Sequence, residues 1–209
     1  MGERHTLLLK LEGPMQSWGY RSRFDHRDTA LEPTRSGVIG LICAAMGIAR
    51  GEDLSRFTAL RMGVRVDEGG RVARDYQTAK DVIKADGSEP ETVVSNRDYL
   101  ADASFTVGLE CDDLRFLQEI ADALRNPRWF LFLGRKSFPL TRPPITRENP
   151  IRAGTLEDNL LRGQPGKRVL SEARDGERVQ EDWPLCFGAR RFSTRTIKTT
   201  YSERGEDAR

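Results

Sequence analysis

Histidine and cysteine are scarce in this chain, with two of the first and three of the second among 209 residues. Cys43, Cys111 and Cys186 are odd in number, widely separated and without a Cys-x-x-Cys pair, so neither a disulfide framework nor a structural zinc site is expected. With only His5 and His26, acid–base or metal-assisted hydrolysis has few candidate groups. Long apolar runs are missing as well. No segment approaches the ~20 apolar residues of a membrane helix, and no charged region followed by an apolar run opens the chain, which predicts a cytoplasmic protein without membrane contact. The Walker glycine–lysine motif, the Gly-x-Ser-x-Gly elbow and the His-Glu-x-x-His helix are absent, leaving phosphate-transfer, esterase and zincin chemistry unsupported. No cofactor is expected.

A net charge of one sign is lacking too, but the formal +2 is a balance of 34 cations and 32 anions, so the local distribution carries the information. Between Pro127 and Arg152 stand Arg128, Arg135, Lys136, Arg142, Arg147 and Arg152 against Glu148 alone. From Glu110 to Arg125 the balance reverses, with Glu110, Asp112, Asp113, Glu119 and Asp122 against Arg115 and Arg125. A basic surface segregated from an acidic one favours binding to a polyanion.

One stretch organises the chain. Thr6 to Leu11 reads as a first strand that ends at Gly13-Pro14. Met15-Gln16-Ser17-Trp18, fenced by Gly13-Pro14 and Gly19, then reads as a tight loop presenting an indole and an amide. After a charged loop from Tyr20 to Glu32, Pro33-Thr34-Arg35-Ser36 leads into a helix with Ser36 as its expected N-cap. Free backbone N–H groups and the positive dipole end beside Arg35 make that an anion site. In the helix, Val38, Ile42 and Ala45 form the core face, Gly37, Gly40 and Ala44 a small-residue face suited to close approach to a sheet, and Gly47 the C-cap. The competing reading of each residue singly is packing: Trp18 as a core plug, Ser36 as a cap.

Further along, Leu54 and Phe57 mark a short helix, and Met62, Val64 and Val66 alternate on one face of a strand before the Gly69-Gly70 turn. Residues 71–96 scatter Val72, Tyr76, Val82 and Ile83 among charges and turn residues, which suits a protruding hairpin with a mobile tip or a plain surface insertion. Ala103, Phe105, Val107 and Leu109 alternate as a half-buried strand. Asp112 or Asp113 caps a helix whose apolar stripe is Leu114, Leu117, Ile120 and Leu124. Trp129 to Leu133 reads as a buried strand running into Gly134-Arg135-Lys136-Ser137. This order predicts an α+β, ferredoxin-like (RRM-like) palm with an inserted hairpin, in one domain spanning residues 1–209. RNA-recognition domains of this order carry stacking aromatics on the sheet face. Residues 154–182 are expected to be polar loop, a last strand to begin near Phe187 within a basic C-terminal region, and residues 202–209 to be a flexible tail.

Binding is the better-supported class. Arg35, Arg97, Arg135 and Lys136 are candidates for phosphate contact, with Trp18, Tyr76 or Tyr99 stacking on unpaired bases; for Tyr99 and Phe105 the core reading leads. His26 lacks a visible partner for general-base work, and Asp25 and Asp28 read as surface rather than a cation site.

Several long strings then fit one family in order: Gly-Pro-Met-Gln-Ser-Trp-Gly at 13–19, Pro-Thr-Arg-Ser-Gly-Val-Ile-Gly-Leu at 33–41, Arg74 to Thr78, Arg97 to Val107, and Leu133 to Leu140. Over most of its length the chain resembles the CasD family, the RNA-handle-binding subunits of the type I-E CRISPR surveillance complex, Cascade. The resemblance implies a palm with residues 71–96 as its thumb, and a non-catalytic subunit gripping the 5′ handle of the CRISPR RNA. It implies CasC-like backbone subunits and a CasA-like large subunit as partners, with foreign double-stranded DNA reached through the assembled complex. Carried over, the handle site falls on Met15, Gln16, Ser17, Trp18, Thr34, Arg35, Ser36, Arg135 and Lys136. In related subtypes a homologue cuts the repeat itself, so the alternative is a metal-independent endoribonuclease with His26 as its catalytic residue.

Overall fold

The structure, a computed structural model, describes residues 3–19, 26–84, 86–145 and 149–202. Strand β1 (His5–Gln16) is followed by β2 (His26–Arg27), helix α1 (Arg35–Met46), a 3-10 turn (Ser55–Ala59), β3 (Arg61–Glu68), β4 (Arg71–Val82) and β5 (Glu91–Cys111). Then come α2 (Leu114–Arg125), β6 (Ile151–Ala153), α3 (Leu156–Leu161), β7 (Arg168–Glu172), β8 (Arg178–Cys186) and β9 (Arg191–Tyr201). One sheet runs in the order β6-β1-β5-β3-β7-β9-β8, with β4 and β2 both paired to the outer part of β5. All pairings are antiparallel except β2 with β5. The chain is therefore a mixed protein with a large, almost wholly antiparallel sheet and few helices.

Alternation decides the two faces. Leu7, Leu9 and Leu11 of β1, with Phe105, Val107 and Leu109 of β5 and Met62 and Val64 of β3, form the core under α1 and α2. On the opposite face α3 places Leu156 and Leu160 over Gly63 and Gly108, where any Cβ would crowd the leucines. Asp113 caps α2 by accepting from the Phe116 N–H at 3.0 Å. The buried stripe of α2 uses Phe116 together with Leu117, Ile120 and Leu124, while Leu114 stays exposed.

Four expectations are corrected. The first strand does not stop at Gly13-Pro14 but continues to Gln16; its register skips Pro14 and Asp102, so the missing N–H leaves no rung unmade. Trp129 to Leu133 is not a strand: it makes one isolated bridge, Phe132 to Pro139, and Phe130 is 94% exposed. The place beside β1 belongs to β6, because Pro144 and Pro150 already carry carbonyls to the Lys10 and Leu8 N–H groups. Residues 154–182 are not loop, since they hold α3, β7 and the start of β8. Their inward positions are polar and paired, Asn159, Glu172, Gln180 and Asp182, so they show no hydrophobic period. Tyr20 to Glu32 is not all loop either, for His26 and Arg27 pair with Asn96 and Arg97. The tail from 203 onward and Asp25 lie outside the described residues.

β4 pairs antiparallel with the first part of β5, from Arg71 opposite Ala101 to Val82 opposite Glu91, and β5 then passes through Asp102, at φ +57°, into the core of the sheet. The register sets the two faces of the pair. Asp75 and Arg97 lie opposite each other on one, Tyr76 and Asn96 on the other.

Candidate nucleic-acid interface

The loop after β1 is closed by its own groups. Gln16 donates from Nε2 to the Ala103 carbonyl at 2.7 Å and accepts the Trp18 indole N–H on Oε1 at 3.1 Å. Trp18 donates its backbone N–H to Thr29 Oγ1, and its carbonyl accepts from the Ala30 N–H, both at 2.9 Å. The indole is 1% exposed and lies on Gly37, where a Cβ would sit 2.7 Å from the ring. Trp18 and Gln16 thus shape the site from inside and do not stack on or bond a base directly. The small-residue face of α1 accommodates aromatic rings, Trp18 at Gly37 and Phe187 near Gly40, rather than the sheet. Met15 packs against the core.

Against this loop docks the turn after Leu133. The Ser17 N–H donates to the Leu133 carbonyl at 3.0 Å. Gly134 has φ +88°, and a Cβ there would overlap the Ser17 carbonyl, so both backbone conformation and space require glycine.

The N-cap of α1 is Thr34, not Ser36: Thr34 Oγ1 accepts from the Gly37 N–H at 3.2 Å. The anion at this helix start is the chain's own Asp182, whose Oδ2 accepts from the Arg35 N–H at 2.7 Å. Arg35, placed by the sequence reading on a phosphate, is 1% exposed and committed elsewhere. Its Nη1 donates to both oxygens of Glu172 at 2.8 and 2.9 Å, and its Nη2 to the carbonyls of Phe57 and Leu60. Arg195 completes the knot, donating to both oxygens of Asp182 at 2.6 and 2.8 Å and to Glu172 at 3.3 Å. Burial pulls the Arg35 guanidinium below its usual range, while the Glu172 charge opposes that shift. Two cations and two anions neutralise one another here, and the Nε of Arg35, without a partner among the described residues, is buried.

Above these supports opens a cleft of about 610 Å³. Ser17, Trp18, Thr34, Ser36, Arg97 and Arg135 line it, so six of the expected residues converge. Arg27, Phe187 and Phe192 join them and were not among the expected site residues; the signal for the last was its place among Arg190, Arg191 and Arg195. Phe187 and Phe192 meet edge to face, their centroids 6.4 Å apart. Arg135 is held by donating from Nη2 to the Asp98 carbonyl at 2.8 Å, with its guanidinium 5.3 Å from the Phe138 ring. Its Nη1 is buried without a partner among the described residues. Burial lowers its pKa and the neighbouring Arg97 charge adds to that, while the charges of Asp75 and Asp98 oppose it. Neither Arg27, Arg97 nor Arg135 forms an ion pair with a described carboxylate. Asp28 and Glu181 supply the acidic part of the wall.

Two expected residues stand apart. Lys136 is exposed beyond the turn and does not line the cleft. Tyr76 is exposed on the far face of the hairpin, in one row with Asn96 and His26. There Asp98 accepts from His26 Nε2 at 2.9 Å and from Arg74 Nε at 2.7 Å, so His26 does have a carboxylate partner. The sheet face that RNA-recognition domains use for stacking is closed, because α3 covers part of it and Lys10, Glu12, Arg65, Asp67, Ser104 and Thr106 fill the rest with mutual pairs. Tyr99 and Phe105 are core-facing, as the packing reading has them; Tyr99 lies 5.8 Å from the Phe138 ring. Among the described residues no three His, Cys, Asp or Glu side chains gather as a metal site, and no helix is long and apolar enough to cross a membrane.

Residues 6–203 match the family model described as CRISPR-associated protein (Cas_Cas5). The chain is 40% identical to the CRISPR system Cascade subunit CasD of Escherichia coli (strain K12), covering 92% of this chain and 94% of that one. It superposes on a chain of a CRISPR RNA-guided surveillance complex with a TM-score of 0.84 at 35% identity, covering 95% of this chain and 90% of that one. A solved structure described as a Cas protein gives a TM-score of 0.75 at 38% identity, covering 97% and 100%.

Proposed function

Because this chain belongs to the CRISPR-associated Cas5 family, we propose that it is a non-catalytic subunit of an RNA-guided surveillance complex that grips the 5′ handle of the CRISPR RNA. The observation that carries the reading is the cleft with Arg27, Arg97 and Arg135, unpaired among the described residues, facing Phe187 and Phe192: cations for phosphates and rings for bases in one place. Ser36 adds a hydroxyl, and Thr34, Gln16, Trp18 and Arg35 hold the walls. In this reading the sheet order β6-β1-β5-β3, with α1 and α2 on one face, is a ferredoxin-like palm, and the β4–β5 hairpin is its thumb. CasC-like backbone subunits and a CasA-like large subunit are its neighbours in the assembly, through which foreign double-stranded DNA is reached.

The test is binding of labelled CRISPR repeat RNA to the purified chain, in chelator and in magnesium, at several salt concentrations and with a denaturing gel. Intact RNA, with affinity lowered in Arg27→Ala and Arg97→Ala and a salt slope reduced by about 0.7 for each contact removed, is the expected result. RNA affinity indifferent to both variants would overturn it.

A second reading draws on the His26–Asp98 pair, since a carboxylate that orients an exposed histidine is what a metal-independent ribonuclease requires of its general base. Cleavage at a fixed position, abolished by His26→Ala in chelator, would establish it in place of the first.

A further inference from the structure

On α1 the cleft is lined by Ser36 and Gly37, and Phe187 packs near Gly40. From Ser36 the helix rises about 16 Å to Gly47, where it meets the segment that begins at Arg128. There the Arg128 and Trp129 N–H groups donate to the Ala45 and Ala44 carbonyls at 2.9 and 3.2 Å, which moors this segment on the last turn of α1. Anchored in this way, Trp129 is 46% exposed and Phe130 94% exposed. On the other side the turn after Phe187 reaches the same helix end, since the Gly188 N–H donates to the Arg50 carbonyl at 2.7 Å. Three exposed arginines therefore stand on the segments tied to this helix end, Arg50, Arg128 and Arg190, and none of them forms an ion pair with a described carboxylate. Among the described residues elsewhere most arginines are paired, as Arg56 with Glu119, Arg61 with Glu157 and Arg178 with Glu32 show.

Unneutralised cations alternating with exposed rings are the chemistry of a single-stranded nucleic-acid track, in which rings stack on bases of any sequence and cations follow the backbone. We infer that the RNA path extends beyond the cleft along the C-terminal end of α1, with Trp129 and Phe130 as a second stacking platform and Arg50, Arg128 and Arg190 as its phosphate contacts. This inference rests on the RNA-binding reading of the cleft and adds a second segment of the same strand. Charge argues for the occupant of the cleft: Arg50, Arg128 and Arg190 outnumber Glu52 and Asp53, whose carboxylates are engaged by the Ala49 and Ser55 N–H groups.

The test uses the full chain with the CRISPR repeat RNA, either intact or truncated to its handle, and reads both affinity and tryptophan fluorescence. Trp18 is buried and Trp183 lies against Arg35, so quenching by RNA reports mainly on Trp129. The intact repeat is expected to quench more than the truncated one, Trp129→Phe to remove the signal while keeping affinity, and Phe130→Ala to weaken binding of the long RNA about tenfold. Arg50→Gln, Arg128→Gln and Arg190→Gln together are expected to lower the salt slope by about 2. If Arg97→Ala weakens binding while Phe130→Ala and the triple variant do not, the cleft reading stands and the extension falls. RNA affinity unchanged in Phe130→Ala with impaired assembly into the surveillance complex would make the patch a protein contact and overturn the inference. No RNA binding by the wild type would overturn both.

Discussion

The guanidinium of Arg35 lies 3.6 Å from the ring centroid of Trp183 while its hydrogen bonds go to Glu172, Phe57 and Leu60. Stacking and ion pairing together fasten the start of α1 to β7 and β8. Arg35→Ala is expected to destabilise the fold by about 3–5 kcal/mol, because it leaves Glu172 buried with an incomplete set of partners. Arg35→Lys is expected to fail to restore stability, since an ammonium cannot make the two-pronged bond and the two carbonyl bonds at once. Denaturant unfolding measures both, and full stability of Arg35→Ala with lost RNA affinity would return Arg35 to the binding surface.

Gly134→Ala tests how the basic turn is mounted. A side chain at φ +88° that also overlaps the Ser17 carbonyl must push the turn off the loop. A loss of at least about 1–3 kcal/mol is expected in thermal unfolding, with a parallel loss of RNA affinity as Arg135 leaves the cleft.

Asp67 gives the protein an acid-sensitive point. Burial raises the pKa of this carboxyl, but hydrogen bonds from Arg65, Lys10 and Thr106 outweigh it and the net direction is down. A folded-state pKa below the unfolded value means the contribution to stability is complete above the unfolded pKa of about 3.9 and is lost as pH falls through the folded one. The difference in Tm between wild type and Asp67→Asn is therefore expected to be constant from neutral pH down to about pH 5 and to shrink below pH 4. A difference that grows on acidification would contradict this.

Cys43 is sealed in the core, where burial, and next the charge of Glu52, pushes its thiol up to about 12. Mass spectrometry after brief alkylation of the native protein at mildly alkaline pH is expected to find Cys43 unmodified, with label confined to the partly exposed Cys186.

Which parts of this molecule were legible in its sequence follows from where polar residues point. The leucines of β1, the stripe of α2 and the alternation of β5 announced themselves because their inward positions are apolar. β7 and β8 did not, since Glu172 and Asp182 face inward to meet Arg195 and Arg35, the latter 137 positions from Glu172, and Gln180 faces inward to donate to Asp182. Trp129 to Leu133 misled in the opposite sense, an apolar run whose rings remain outside. At the site, the loop, the helix start and the basic turn were recognised as pieces of one surface, and six of the expected residues do line one cleft. Burial reassigns Trp18, Gln16 and Arg35: the indole lies on Gly37, the amide turns in to Ala103, and β7 and β8 bring Glu172 and Trp183 onto the guanidinium.

β5 runs from the hairpin to the end of the sheet with Asp102 in the left-handed region (φ +57°) at the junction, and side chains along each part alternate with period two. The two sides of the hairpin are accordingly fixed relative to the faces of the sheet by the residue count through that junction. A single residue inserted at the junction near Leu100 would turn the arm over, exchanging the side that bears Arg97 for the side that bears Tyr76, whereas two inserted residues would lengthen the arm and leave its sides in place.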